Sequence, residues 1–198
     1  MIINGPIENF FKNPCSEPSP EGDCVLFHIR RDLVKLLDAE DQVNPEAPRH
    51  VMLPLMGILA GIDYLSQVYS DKTGSRDRFV ETVREFCRIN EDASQAIYQL
   101  RCAIIHSVAL STISDCNHRR GDRFSFEITD DDSCPLIIEL SDNGSEVTYR
   151  INFWKLRKAF LGIVAELESI TNNIDHPKNA HLINMIGKMH SEKILKTT

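Results

Sequence analysis

Residues 93–114 read ASQAIYQLRCAIIHSVALSTIS, and across these 22 positions Arg101 is the only side chain with a formal charge. A helix lying on a protein surface keeps a charged outer face. A helix running from Ala93 to Ser114 without one is predicted to be covered on both sides, and the rest of the chain has to supply the cover.

Upstream, the candidates are helical. Val51, Leu55, Ile58, Ile62, Leu65 and Tyr69 step by threes and fours, one apolar stripe along a helix of about five turns. Pro54 falls in its early turns, where proline is best tolerated. After a break at Asp71-Lys72-Thr73-Gly74, Ser75 can cap a helix with Phe79, Val83 and Phe86 inside, ending near Asn90. Nearer the N-terminus, Asp23 can cap a first helix carrying Leu26, Ile29, Leu33, Leu36 and Leu37, which stops in the acidic stretch from Asp41 to Pro45. Residues 1–22 hold Pro6, Pro14, Pro18, Pro20, Gly5 and Gly22, a density of breakers that reads as an irregular arm outside the core.

Downstream the period changes. Past the polar loop His118-Arg119-Arg120-Gly121, Phe124, Phe126 and Ile128 alternate with polar residues, as do Leu136, Ile138 and Leu140, and then Val147, Tyr149 and Ile151. Alternation at a period of two is the mark of half-buried strands, and Asn143-Gly144 suits a tight hairpin turn. Asn152 can cap a long final helix with Phe153, Leu156, Phe160, Ile163, Leu167 and Ile170 on one stripe and Trp154 beside it. A shorter segment from Pro177 to Ile194 follows, with Leu182, Met185, Ile186 and Met189 as its apolar positions. The predicted fold class is mainly α, a helical bundle with a small inserted three-stranded antiparallel β-meander. The domain reading is an arm over 1–22, a helical domain over 23–175 with the meander at about 122–152, and a helical tail over 176–198.

Composition bounds the function. The 198 residues suit one domain, and 42% hydrophobic with 26% charged residues is unlike the mix that stays disordered. A net charge of −7 opposes a general nucleic-acid coat, which needs a positive surface. The six cysteines form no C-x-x-C pair and have no histidines at zinc-finger spacing, so buried reduced thiols, with neither a metal nor a cofactor, are expected. The N-terminus shows no basic region followed by an apolar core. The uncharged stretch Val51–Ile62 spans 12 residues, short of the roughly 20 that cross a bilayer. A cytoplasmic protein is the expectation.

The segment Tyr98-Gln99-Leu100-Arg101-Cys102-Ala103-Ile104-Ile105-His106-Ser107 resembles the R-x(4–6)-H signature of the HEPN superfamily, with Arg101 and His106 at the matching positions. The resemblance covers roughly residues 24–112 and 152–173. Cys102 stands where that family more often has asparagine, and the strands are an addition to its helical unit. The resemblance implies a metal-independent endoribonuclease of a toxin–antitoxin or defence system, acting on RNA as a homodimer and restrained by an antitoxin partner of nucleotidyltransferase type. It also admits a catalytically inactive HEPN-like module that binds a protein partner or a nucleotide. Cleavage needs a group that moves protons near neutral pH and a fixed cation on the phosphate. His106 and Arg101 suit those roles.

Positions five apart on a helix point about 140° away from each other, so Arg101 and His106 converge only if the arginine wraps round or a second subunit completes the site. Gln95, Gln99, Cys102 and His106 share the uncharged flank that a symmetric contact would use, and Tyr98 adjoins it. Arg119, Arg120 and Arg123, with His118, lie beyond the helix and could hold an RNA backbone. Each of these features has a plainer reading. Arg101 can pair with a buried carboxylate such as Asp63, and His106 can be a hydrogen-bonded core residue. The basic loop can be a solvated turn. Asp130-Asp131-Asp132 could hold a cation or simply turn the chain. Cys102 with His106 at i+4 has the spacing of a nucleophile and its base, without an orienting acid in view.

Overall fold

The structure is a computed structural model that describes residues 7–8, 10–13, 25–43, 52–107, 109–113 and 121–195. Its elements run α1 (Val25–Val43), α2 (Met52–Tyr69), α3 (Ser75–Cys87), α4 (Glu91–Ser107), β1 (Ser111–Ile113), β2 (Arg123–Thr129), β3 (Ile137–Asp142), β4 (Glu146–Asn152), α5 (Phe153–Asn172) and α6 (Asn179–Leu195). Among the described residues, no helix is long and apolar enough to cross a membrane.

The centre is α2, which packs against the other five helices. Leu55, Ile58, Leu59, Ile62, Leu65 and Val68 are all fully buried, the signature of a helix covered on more than one side. Gly61 lets α5 come close: a Cβ there would sit 2.5 Å from the Phe160 ring. Phe10 and Phe11 are also buried, and Phe10 stacks on Tyr64, so part of the segment read as an arm outside the core belongs to it.

The strands overturn the expected three-stranded antiparallel meander. They form a four-stranded mixed sheet in the order β1-β2-β4-β3. β2 pairs with β4 in parallel, from Arg123 opposite Glu146 to Thr129 opposite Asn152, while β3 pairs antiparallel with β4 on its other side. In β2 and β4 alternation marks the buried face, whereas in β3 the apolar Ile138 and Leu140 are exposed and Ile137 packs on the core; alternation carries nothing about a strand's neighbour. The acidic segment 130–136 is not a hairpin turn but a crossover that steps past β4. Asn152 holds it there: its Nδ2 donates to the carbonyls of Asp131 (2.6 Å) and Cys134 (3.3 Å), and its backbone N–H donates to Leu136 (2.9 Å). The same side chain caps α5, accepting the Lys155 N–H at 2.9 Å. The Asn143-Gly144 turn joins β3 to β4 as its sequence predicts, with Gly144 at φ 84°.

The fourth strand comes from the helix read over 93–114. That helix ends at Ser107, and Ser111–Ile113 pair antiparallel with Ser125–Arg123 of β2. Ser-Thr-Ile is a poor helix end and a good strand. The sheet's inner face, Phe124, Phe126, Val147, Tyr149 and Ile151, is buried, with Phe124 stacked on Tyr149 at 5.8 Å. Its outer face pairs Arg150 with Glu127 at 2.8 Å and also exposes Ile113 and Ile138.

Candidate active site

Asp63 is the only charged residue of α2, and Arg101 is the only formally charged residue of α4 beyond its first turn. These two lone charges meet. Arg101 Nη2 donates to Asp63 Oδ2 at 2.9 Å, with side chains 15% and 17% exposed. Charges on packed helices have to be paired, because desolvating an ion alone costs several kcal/mol. Burial works against the Arg101 charge, but the hydrogen bond and negative charge of Asp63 outweigh it and hold the guanidinium's pKa above its ordinary value.

The contact with Asp63 is single. Arg101 Nε and Asp63 Oδ1 are buried and have no hydrogen-bond partner among the described residues, so the two groups do not form the two-bond fork available to an arginine and a carboxylate. The other terminal nitrogen turns toward the end of α4. Arg101 Nη1 donates to His106 Nε2 at 3.1 Å. A guanidinium has only donors, so the ring nitrogen facing it offers its lone pair. The long side chain thus spans the 140° or so that separates the two positions. His106 is exposed in the last turn of α4.

The residues around the pair divide sharply by access. Tyr98 is buried edge-on to Phe79, 5.7 Å between centroids, with the Arg101 guanidinium 6.0 Å from its ring. Burial pushes the Tyr98 hydroxyl up to about 12, assisted by Cys102, which its side chain contacts. Cys102 is a half-buried thiol outside any disulfide that also contacts Arg101. Gln99 is 1% exposed and Gln95 7%; Gln95 bridges Arg76 and Glu91 at 3.1 Å each. The flank read as a symmetric contact surface is therefore covered by the chain itself at Gln95 and Gln99 and opens only toward Cys102 and His106.

No protein-family model, no curated protein and no solved structure matches this chain. Its chemistry is read from the residues alone.

The other predicted binding residues do not join the pair. Arg123 is exposed and lies opposite Ile113, about 10 Å farther along β2 than Phe126, whose N–H reaches Leu110 just past α4. Arg119, Arg120 and His118 lie outside the described residues. Asp131 serves the crossover: Oδ1 accepts the Ser133 N–H at 2.9 Å, and hydrogen bonds from Ser133 hold its carboxyl below the usual carboxylate range. Among the described residues, no group of three or more His, Cys, Asp and Glu side chains is placed to hold a metal ion. From the sequence Asp63 is expected only as a pairing partner of Arg101. Its signal was its position as the sole charge in an otherwise uncharged helix.

Proposed function

We propose that the chain is a HEPN-like endoribonuclease that cleaves RNA through the ribose 2′-hydroxyl. One observation carries this reading: Arg101 and His106, five positions apart in sequence, meet at 3.1 Å at the solvent-facing end of α4. When RNA binds, a non-bridging phosphate oxygen displaces the imidazole from Arg101 Nη1. The freed His106 Nε2 lone pair takes the proton of the 2′-hydroxyl as its oxygen attacks the adjacent phosphorus, and the bond to the 5′-oxygen breaks. The products are a 2′,3′-cyclic phosphate and a 5′-hydroxyl, the latter protonated from the imidazolium or water. Arg101 Nη1 donates to a non-bridging phosphate oxygen and stabilises the charge gathered in the transition state. Asp63 positions the guanidinium and leaves that nitrogen available. RNA enters at the His106 side, and a homodimer would meet there, since Gln95 and Gln99 are buried. An antitoxin that restrains the enzyme would cover the same end.

The test is cleavage of a mixed RNA set in EDTA by wild type, Arg101→Ala and His106→Ala, with melting and sedimentation of each. Loss of cleavage in both folded variants supports the reading. Wild-type protein that leaves every RNA intact sinks it. A second reading, an inactive HEPN-like module that binds a protein partner or a nucleotide, is favoured by the Asp63–Arg101 pair itself, which partly neutralises the cation a phosphate would need, and by the thiol at Cys102. Co-purification of a stoichiometric partner with an inactive wild type would select it.

A further inference from the structure

A cleft of about 510 Å³ opens between the end of α3 and the outer face of α5, lined by Glu85–Arg88, Leu136, Lys155, Lys158, Ala159, Gly162 and Glu166. Its volume is in the range of small-molecule sites. It lies at the start of α4, and His106 is roughly 22 Å away along that helix. Nothing in the Arg101–His106 reading uses it.

Three features set it apart. First, its charges are segregated. On α5, Lys155, Lys158, Gly162 and Glu166 follow one another on one face, with the cations at the N-terminal end and the carboxylate toward the other. Glu85 accepts from the Tyr69 hydroxyl and Glu166 acts on the same group, so the two acids lie near each other, while Arg88 lines the cleft at the end of α3. Second, the arrangement opposes the helix. All cations of α5 fall at 155–158 and both carboxylates at 166 and 168, the reverse of the order its dipole favours. Among the described residues, none of Arg88, Lys155 and Lys158 comes within ion-pair distance of a carboxylate. Third, Arg88 has φ 54°, and among the described residues it is the sole non-glycine with a positive value. It is the left-handed residue that closes α3, so its cation stands at the end of that helix, on the cleft's lining.

The geometry points to a binding site for a small dipolar molecule, its anionic group held by Arg88, Lys155 and Lys158, its ammonium by Glu85 and Glu166, and an aliphatic stretch between them lying over Ala159 and Gly162. The anion can be a carboxylate or a phosphate, since both take the same donors. The proposal is independent of the ribonuclease reading.

The experiment titrates the full chain with glycine, γ-aminobutyrate, ε-aminocaproate and O-phosphoethanolamine, and with hexanoate and hexylamine as single-charge controls. Calorimetry gives the affinity, and the fluorescence of Trp154, the chain's one tryptophan, reports from beside Lys155. Saturable one-to-one binding of at least one dipolar compound is expected, with both single-charge controls at least tenfold weaker. The phosphate and carboxylate arms identify the anion. Lys158→Glu and Glu166→Lys should each weaken binding at least tenfold. Gly162→Leu should abolish it without loss of melting temperature, because a Cβ at Gly162 meets nothing within 4 Å. The proposal is overturned if no compound saturates up to about 10 mM, if hexanoate binds as well as the dipolar series, or if Gly162→Leu binds like wild type.

Discussion

At the C-terminal end of α4, Arg101 is half-buried, tied to Asp63 and aimed at His106. At the N-terminal end, Arg88, Lys155 and Lys158 line a cleft that Glu85 and Glu166 also line. The first cation is held in place by packing, so its geometry exists before any ligand arrives and its removal is felt by the fold. The second group is solvated, so what it can bind is set by charge placement and should be sensitive to salt. Preorganisation belongs to the buried charge, and adjustability to the exposed ones.

The contrast can be broken most forcefully at His106. Its side chain is exposed and touches Arg101, so His106→Ala should reduce RNA cleavage by roughly 100-fold to 10,000-fold while changing stability by about 0.5 kcal/mol or less. Parallel cleavage and urea-melt assays check both parts. A comparable loss of activity with a large loss of stability would make His106 structural.

Asp63→Ala comes next. It leaves the Arg101 guanidinium partly buried without its carboxylate and should cost roughly 1–3 kcal/mol, whereas Lys158→Ala at the other end should stay within about 0.5 kcal/mol. Equal costs in chemical denaturation would abolish the distinction between a packed and a solvated cation.

How far this distinction was legible in the sequence depends on the element. The stripe from Leu55 to Tyr69, the cap at Asn152 and the Asn143-Gly144 turn are local patterns, and each is present as read. Strand order is not local. Phe124, Phe126 and Ile128 declare a buried face, yet nothing in them says that β4, rather than β3, is their neighbour. β1 was lost inside the uncharged run because Leu110 to Ile113 can continue a helix or extend as a strand, and pairing with β2 decides it. At the site, the Arg101 and His106 spacing was readable, but their meeting depended on the rotamer of one long side chain. The cleft was not readable at all, because it assembles positions 85–88, 136 and 155–166, and no periodicity links them.

Arg88→Gly sharpens the comparison at the cleft end. Glycine suits the left-handed conformation that Arg88 adopts after α3, so this variant should gain on the order of 1 kcal/mol while losing affinity for a dipolar ligand. A thermal melt and a titration of the same sample measure the two effects together.

A further effect is with pH. Burial pushes the Cys87 thiol, on the cleft, from its ordinary 9.0 up to about 11, and the Tyr98 hydroxyl, beside Arg101, from 10.0 up to about 12. Each is neutral when protonated, so the unfolded chain ionises first as pH rises. Their contributions are intact below pH 9.0 and 10.0 respectively and are lost as the pH passes through the raised values. Denaturant midpoints should therefore fall across this range. Cys87→Ala should remove the earlier part of the fall and Tyr98→Phe a share of the later part, the rest belonging to the Tyr69 hydroxyl, which burial and Glu85 also raise.

The position of β4 between β2 and β3 also sets a timetable for synthesis. When Thr129 has emerged, β2 has β1 on one side and bare N–H and C=O groups on the other, and the residues that will cover them end at Asn152, 23 positions later (152 − 129). At about 5–20 residues per second the ribosome takes roughly 1–5 s to deliver them. For that interval the nascent chain presents an open strand edge carrying Phe124 and Phe126, and neighbouring chains on a crowded polysome can compete for it.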